Sequence, residues 1–314
     1  MSTTTAKSST IGRPGVAPAA HPEVDRSGLL LGMGAYLAWV VFPIYFHSLA
    51  HVDALQILFH RVVWSLAFML IVMTWRRRWQ RLGTYARNRR VLLTYATAAV
   101  LLAVNWYIYI WAVTNGHILE GSLGYFINPL VNVLLGVLFL RERMRPSQWA
   151  AIALATAGVG YLTWNYGHLP WIALSLAFSF GFYGLVKKKA PLPAEEGMTL
   201  ETATLFVPAL VGLLWFEMRG TGGFASGGTG SDLLLLLSGP ITAIPLLLFA
   251  TAAQRIPLST MGVLQYIAPT GQFLVAVLLY AEPFPQYKLV GFGIIWVALI
   301  LYWVENWLHW RRRA

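Results

Sequence analysis

Residues 119–142 form an apolar stretch that carries polar side chains at helical spacing. Tyr125, Asn128 and Asn132 recur every three to four residues, so one face of a helix would present all three. Pro129 lies among them, and a proline leaves the carbonyl one turn earlier without its usual N–H partner. Amides and free carbonyls of this kind can bind a polar solute, or they can simply join neighbouring helices by hydrogen bonds.

The same pattern returns 140 residues later, in residues 259–282. Gln265 and Gln272 flank Pro269, which corresponds to the proline of the first stretch, and both stretches end in a glutamate. A duplicated unit built on a proline-containing apolar helix is typical of transporters whose substrate site lies near the middle of the bilayer.

Other polar and aromatic residues at helical spacing extend this candidate cavity. They are Tyr36 and Trp39 in the first apolar stretch, Asn105 and Tyr109 in the third, and Ser179 and Tyr183 in the sixth. Aromatic rings suit organic solutes, including cations held over a ring face, although ordinary helix packing explains any single ring equally well.

Arg61 lies inside an apolar stretch, where a charge is costly unless it is paired or functional. Glu120 lies at a similar depth, so we expect an Arg61–Glu120 pair that gates the external mouth, binds a charged solute or only joins two helices. His60 is a candidate for proton coupling, with a hydrogen-bonded interfacial histidine as the alternative. The chain has no cysteine and its histidines are scattered, so neither catalytic residues nor a metal site are predicted.

The composition indicates an all-α integral membrane protein. Hydrophobic residues make up 57% of the chain and charged residues only 11%, with a mean hydropathy of +0.60, whereas soluble domains carry about 25% charged residues. Ten stretches approach the ~20 apolar residues that a membrane-spanning helix needs. They are 28–47, 54–75, 91–113, 118–140, 147–165, 169–186, 199–216, 233–253, 257–281 and 287–308.

Lys and Arg concentrate in both tails and in the even-numbered connections, such as residues 76–90 and 187–189. Basic short loops stay cytoplasmic, so both termini are predicted inside. This placement explains the net charge of +11 without nucleic acid, which is not predicted as a partner. Five spans in each copy force the second copy to insert upside down, which makes an inverted repeat.

The predicted organisation has four parts: a disordered cytoplasmic tail (1–27), a first five-helix repeat (28–165), a second (166–309) and a basic cytoplasmic tail (310–314). The glycine-rich connection 219–230 is expected to be a flexible external linker. It lacks the lysine of a phosphate-binding loop, and no nucleotide or other cofactor is predicted.

Five segments resemble the EamA family of the drug/metabolite transporter superfamily, and within it the RarD branch. They are HRVVWS (60–65), NWYIYIWAV (105–113), LEGSLGYFINPLVN (119–132), FSFGFYGLVKKK (178–189) and PLSTMGVLQYIAPT (257–270). The resemblance implies a ten-span permease of the bacterial inner (plasma) membrane, built from two inverted EamA repeats. It also implies a cavity lined mainly by spans 1, 3, 4, 6, 8 and 9, and relatives that export amino acids, metabolites or drugs.

The function predicted from the sequence is secondary transport, with export favoured, of small organic metabolites or drugs by alternating access. Two alternatives stay open: a membrane-embedded enzyme acting on a lipid-linked substrate, and a passive channel. The expected partners are a small-molecule substrate and the lipid bilayer. The oligomeric state is left open, with a homodimer as one alternative.

Overall fold

The computed structural model describes residues 25–85, 87–140, 146–188, 190–256 and 264–311, and the regular structure in these ranges is helical. The helices are α1 (Arg26–Val40), α2 (Phe42–His47), α3 (Ala54–Trp75), α4 (Trp79–Tyr85), α5 (Arg89–Thr114), α6 (Ile118–Leu140), α7 (Pro146–Tyr166), α8 (Trp171–Lys188), α9 (Ala194–Met218), α10 (Thr229–Arg255), α11 (Ile267–Leu274), the π-helical segment Val275–Leu279 and α12 (Gln286–Arg311).

Several of these helices have the length and composition of membrane spans. Within the described residues, five segments qualify: Arg26–His47, Ala54–Trp75, Arg89–Thr114, Ala194–Met218 and Thr229–Ala252. Trp171–Lys187, Ile267–Leu279 and Gln286–Leu301 are shorter apolar helices. The predicted all-helical membrane architecture is therefore confirmed for the part of the chain that the structure describes.

The first predicted stretch, 28–47, is two helices and not one. The chain leaves α1 at Val41, and Pro43 lies at the start of α2. A proline is tolerated in a first helical turn, where its missing N–H costs no hydrogen bond, but it cannot continue the ladder of the helix before it. The break therefore follows from Pro43, and it leaves the carbonyl of Trp39 without the N–H of residue 43.

The connection 219–230, predicted to be a flexible external linker, makes specific contacts with α3 in the structure. Gln56 of α3 donates from Nε2 to the carbonyl of Thr221 (2.9 Å) and accepts at Oε1 from the N–H of Gly223 (2.7 Å). Phe224 stacks on the His60 ring with centroids 5.7 Å apart. One glutamine side chain thus satisfies two backbone groups of the loop and holds it at the N-terminal end of α3.

The helices follow one another at matching intervals in the two halves of the chain. The first residues of α9, α10 and α12 each lie 140 positions after those of α3, α5 and α7. The packing has the same regularity, since α10 packs on α1 and α3 while the corresponding α5 packs on α8 and α9. Two further pairs, α3 with α9 and α7 with α12, join corresponding helices of the two halves.

Helix α6 packs closely against α8 because Gly124 has no side chain. A Cβ placed at Gly124 would lie 2.7 Å from the carbonyl oxygen of Ala173 and 2.9 Å from Cβ of Leu176. Small residues allow this approach between apolar helices, where van der Waals contact and interhelical hydrogen bonds hold the pair together. Gly124 therefore sets the distance between two of the helices around the cavity described below.

We expect Gly124→Ala to destabilise the protein, because the added methyl group meets backbone and cannot be accommodated by a side-chain rotation. Overpacking of this kind costs roughly 1–3 kcal/mol, measurable as a lower midpoint of thermal unfolding for the purified protein in lipid nanodiscs. Gly160→Ala in α7 is the matched control, since nothing lies within 4 Å of its new Cβ. Equal unfolding midpoints for the two variants would contradict the close α6–α8 contact.

Candidate substrate-binding site

A cavity lies between helices from both halves of the chain, and aromatic and amide side chains line it. About 60 Å³ of its interior admits the centre of a water molecule. One water needs roughly 10–15 Å³ on this measure, so the space suits several waters or one small organic group. The lining residues are Tyr36, Trp39, Phe42, Arg61, Asn105, Trp106, Tyr109, Tyr125, Phe180, Thr242, Leu246, Gln265, Ala268, Pro269 and Gln272.

On one wall, Asn105 of α5 joins three helices. Its amide nitrogen donates to Ser179 Oγ (2.9 Å) and to the carbonyl of Leu176 (3.0 Å), both on α8. Its carbonyl oxygen accepts from the hydroxyl of Tyr125 on α6 at 3.2 Å. The side chain is 1% exposed, so these bonds satisfy an amide that would otherwise be costly to bury.

Opposite this wall, a second amide network links the two proline-containing helices. Gln265 donates from Nε2 to Oδ1 of Asn128 at 2.9 Å, and Asn128 donates to the carbonyl of Ala177 at 3.0 Å. Gln272 donates from Nε2 to the carbonyl of Trp39 at 3.0 Å, which is the carbonyl that Pro43 deprives of its regular helical partner. The amide of one helix therefore donates to the carbonyl at the proline break of another helix.

Two polar atoms on the cavity wall have no protein partner among the described residues. They are the hydroxyl of Tyr109 and Oε1 of Gln272. The two side chains are 3% and 2% exposed, respectively. Buried polar groups are normally hydrogen-bonded, so these two atoms are candidate contacts for a solute or water in the cavity.

Arg61 of α3 reaches the same cavity and is 2% exposed. Its Nε donates to Thr242 Oγ1 at 2.9 Å. The guanidinium lies over three rings, with its central carbon 4.3 Å from the centroid of Trp106, 5.0 Å from Phe46 and 5.7 Å from Phe42. These contacts fix the position of the cation without neutralising it.

The expected Arg61–Glu120 ion pair does not form in the structure. Glu120, in the first turn of α6, lies 4.0 Å from Nδ1 of His117 instead. A carboxylate is favourable there because the helix N-terminus carries partial positive charge. Equal depth along two helices was therefore insufficient to predict the partner, since the rotation of each helix decides which side chains meet.

The predicted site residues separate into a cavity group and a supporting group. Tyr36, Trp39, Asn105, Tyr109, Tyr125, Gln265, Gln272, Pro269 and Arg61 line the cavity, whereas Asn128, Ser179, Tyr183, His60, Glu120 and Pro129 do not. Asn128 and Ser179 orient cavity residues from behind, as described above. The side chain of Asn132 lies outside the described part of the chain.

His60 is separated from the cavity although it is adjacent to Arg61. Successive helix residues point about 100° apart, and the His60 ring lies against Phe224 and accepts from the indole N–H of Trp64 at 3.3 Å. These contacts agree with the interfacial alternative more than with proton coupling.

Thr242 is a cavity residue that the sequence did not reveal. It lies on α10 between Pro240 and Pro245, the two prolines inside that helix. The family resemblance already implied that this span lines the cavity, and the two prolines mark the part of it around Thr242. Trp106, Phe42, Phe180 and Leu246 gave no comparable signal because apolar residues are common throughout these helices.

A buried charge cluster at the ends of α5, α8 and α9 also escaped prediction. Lys187 contacts Glu201 with its ammonium nitrogen 2.6 Å from Oε1, and Tyr183 donates to Oε2 at 3.4 Å. The Tyr95 hydroxyl accepts from the N–H of Leu192 at 3.0 Å. Lys187 also lies 5.0 Å from the Tyr95 ring centroid. The cluster ties three helices together on the side of the basic loops.

On the opposite side, Glu282 holds the start of α6. Its two carboxylate oxygens accept from the N–H groups of Ile118 (2.7 Å) and Leu119 (2.9 Å). Burial raises the pKa of the Glu282 carboxyl, and the two backbone hydrogen bonds act in the opposite direction. A residue of the second half therefore caps a helix of the first. The corresponding Glu142 lies outside the described residues.

The comparisons with known proteins agree with this architecture. Residues 26–164 match the model of the EamA-like transporter family. Protein RarD of Streptomyces exfoliatus is 48% identical over 277 residues, covering 88% of each chain. The chain belongs to the EamA-like transporter family. Within it, this is a RarD-type protein of the drug/metabolite transporter superfamily.

Two further relatives cover nearly the whole chain. An uncharacterized transporter, YojE, of Bacillus subtilis is 45% identical over 94% of this chain and 98% of its own. A Pseudomonas aeruginosa protein named chloramphenicol-sensitive protein RarD is 32% identical over 89% of this chain and 94% of its own. One solved crystal structure superposes with a TM-score of 0.58 over 89% of this chain and 98% of that one, at 18% identity, so it shares the fold.

Family membership makes this EamA protein a membrane transporter of the drug/metabolite type rather than an enzyme. Its bacterial relatives place it as a multi-pass protein of the inner membrane. The small-molecule substrate and the lipid environment follow from the same membership.

We expect Glu282→Ala to lower the thermal stability of the purified protein, because two N–H groups at the start of α6 lose their acceptors. Loss of such a cap costs about 1 kcal/mol, and Glu282→Gln should cost less because its amide oxygen still accepts one bond. Glu217→Ala is the control, since Glu217 is an exposed carboxylate at the other end of a helix, α9. A Glu282→Ala unfolding midpoint equal to that of Glu217→Ala would contradict the capping role.

Proposed function

We propose that this EamA protein is a secondary transporter that exports small organic metabolites or drugs by alternating access. The cavity is the substrate site, reached in turn from each side of the membrane. One observation carries this proposal: corresponding proline-containing helices of the two halves, α6 and α11, meet at one cavity, and Gln265, just before α11, bonds Asn128 of α6.

The arrangement that we propose has ten spans in two inverted five-helix repeats, 28–165 and 166–309. The equal intervals between corresponding helices and their corresponding packing support it. Because each half has an odd number of spans, the two halves have opposite orientations in the membrane. If the halves exchange their conformations, the side to which the cavity opens also changes. A cavity at their junction can then open to either side by the same motion.

Two different sets of contacts would have to break in turn. Glu282, bonded to the first residues of α6, holds the side that we propose to be external, and the Lys187–Glu201 pair holds the proposed cytoplasmic side. Arg76 also pairs with Glu195 at 2.8 Å beside the basic loops. Opening one side while the other stays closed is what distinguishes a carrier from a channel.

The orientation that we propose places both termini in the cytoplasm, because the basic connections are retained there. The natural chain has no cysteine, so single cysteines can be introduced without removing others. We expect Gln80→Cys, in α4, to react with a membrane-impermeant maleimide only after the membrane is opened. Ser48→Cys, after α2, should react in intact cells.

The reverse labelling pattern, or reaction of both cysteines in intact cells, would refute the proposed orientation. Both positions are exposed in the structure, so poor reactivity would not result from burial. Labelling in denaturant serves as the control for expression.

Transport itself can be tested with the purified full chain in proteoliposomes. We expect saturable flux of at least one solute from a panel of labelled carboxylates, amino acids, amines and antibiotics. Gln272→Leu should reduce the flux at least tenfold, because it removes the amide that binds the Trp39 carbonyl and lines the cavity.

Gln80→Leu is the matched control, since Gln80 is exposed on α4 and distant in the fold from the lining residues. Normal flux in a folded Gln272→Leu variant would assign Gln272 to helix packing alone. A steady ionic current through single molecules in a planar bilayer would favour the channel alternative over the carrier.

A further inference from the structure

The charge of Arg61 is the feature of the cavity that the proposed function leaves unexplained. The described carboxylates form no ion pair with it. Its single protein hydrogen bond in that part of the chain is the one from Nε to Thr242. Among the described residues, the two terminal amino groups of the guanidinium thus have no protein acceptor, and they lie beside a cavity.

Such a group is unusual in a membrane protein. A buried charge is normally paired, because removing it from water costs several kcal/mol that only a counter-charge or hydrogen bonds offset. The contacts with Trp106, Phe46 and Phe42 offset part of this cost. The phenols of Tyr109 and Tyr125 line the same cavity as the guanidinium, but as neutral groups they bring no counter-charge.

The corresponding position in the second half makes the contrast clear. Glu201 lies 140 residues after Arg61, and each is the eighth residue of its helix, α9 or α3. Glu201 is neutralised by Lys187 at 2.6 Å. The fold therefore supplies a counter-ion for the buried charge on one side and, among the described residues, none for the charge that faces the cavity.

We propose, on the basis of the proposed transport function, that the substrate is a small organic monocarboxylate with an apolar body, whose carboxylate binds Arg61. A guanidinium binds a carboxylate through two parallel N–H···O bonds, and two terminal nitrogens are open for them. The rings of Trp39, Phe42 and Phe180 provide an apolar wall for the rest of the molecule.

The orphan atoms at the wall fit the same solute. The Tyr109 hydroxyl can donate to the second oxygen of the carboxylate, since it lies near the guanidinium and has no protein partner in the described part. Gln272 Oε1 is a free acceptor, so it accommodates a donor group at another position of the substrate. Organic cations are disfavoured because they would meet an unneutralised positive charge.

Binding to the purified full chain in nanodiscs tests this assignment. Benzoate, benzamide and benzylamine share a ring and differ in the charge of the head group, and phenylacetate and 4-methylvalerate extend the carboxylate set. We expect at least one carboxylate to bind and to raise the unfolding midpoint, with the amide and the amine at least tenfold weaker.

Arg61→Gln should weaken carboxylate binding roughly tenfold to hundredfold, and Arg61→Lys should have an intermediate effect because the charge remains without the two-pronged geometry. Arg219→Gln is the matched control. Arg219 also lies 4.3 Å from a tryptophan ring centroid, that of Trp215, but it is exposed in the loop after α9.

Three results would overturn the inference: no binding of any carboxylate, equal binding of the amide or amine, or unchanged binding in folded Arg61→Gln. If Arg61→Gln does not fold, unchanged affinity in Arg61→Lys serves as the contrary result. Saturable flux of another solute class that depends on Gln272 would leave the proposed function intact while the inference fails. Carboxylate binding that depends on Arg61, without flux of any solute, would support the inference and count against the proposed transport function.

Discussion

The absence of water in the bilayer interior is the constraint on which this structure depends. Every amide, hydroxyl and charge within the helices must find a partner in the protein or face a cavity that a solute can enter. Asn105 reaches α8 and α6, and Gln265 reaches Asn128. The same hydrogen bonds thus hold the helices together and shape the cavity, so packing and binding are not separate properties here.

Prolines leave backbone carbonyls near the cavity without their regular helical N–H partners. Pro43 deprives the Trp39 carbonyl of a backbone donor, and Gln272 supplies an amide donor from another helix. Pro129, inside α6, does the same to the carbonyl of the cavity residue Tyr125, whereas Pro269 lies in the first turn of α11. A proline inside a helix removes a backbone hydrogen bond and so lowers the stability of that helix on its own. A donor from the neighbouring helix replaces this bond only while the two helices keep their relative position.

The two halves of the chain share a framework but differ in their charges. Arg61 and Glu201 occupy corresponding positions, yet one faces aromatic rings and the cavity while the other is closed off by Lys187. The contacts at the two ends of the bundle also differ, with a capped helix start at Glu282 and a buried ion pair at Glu201. In the alternating-access mechanism that we propose, this difference would allow substrate binding to favour one state over the other.

Local properties of the sequence were enough to predict the class of protein and the positions of most of its helices. Hydropathy and helical period are set within about twenty residues, so the apolar stretches matched helices and the 140-residue offset appeared in the helix starts. The same local signals identified nine of the fifteen cavity-lining residues, because polar groups beside a proline stand out in apolar sequence.

Only the tertiary structure decided which side chains meet. Arg61 bonds Thr242, 181 residues away, and not Glu120 at the same depth. The loop at 219–230 is held by Gln56, more than 160 positions earlier in the chain. A partner of this kind depends on the rotation of each helix about its axis and on which helices are neighbours. These are properties of the packed bundle, and a linear pattern of polar and apolar residues carries no measure of them.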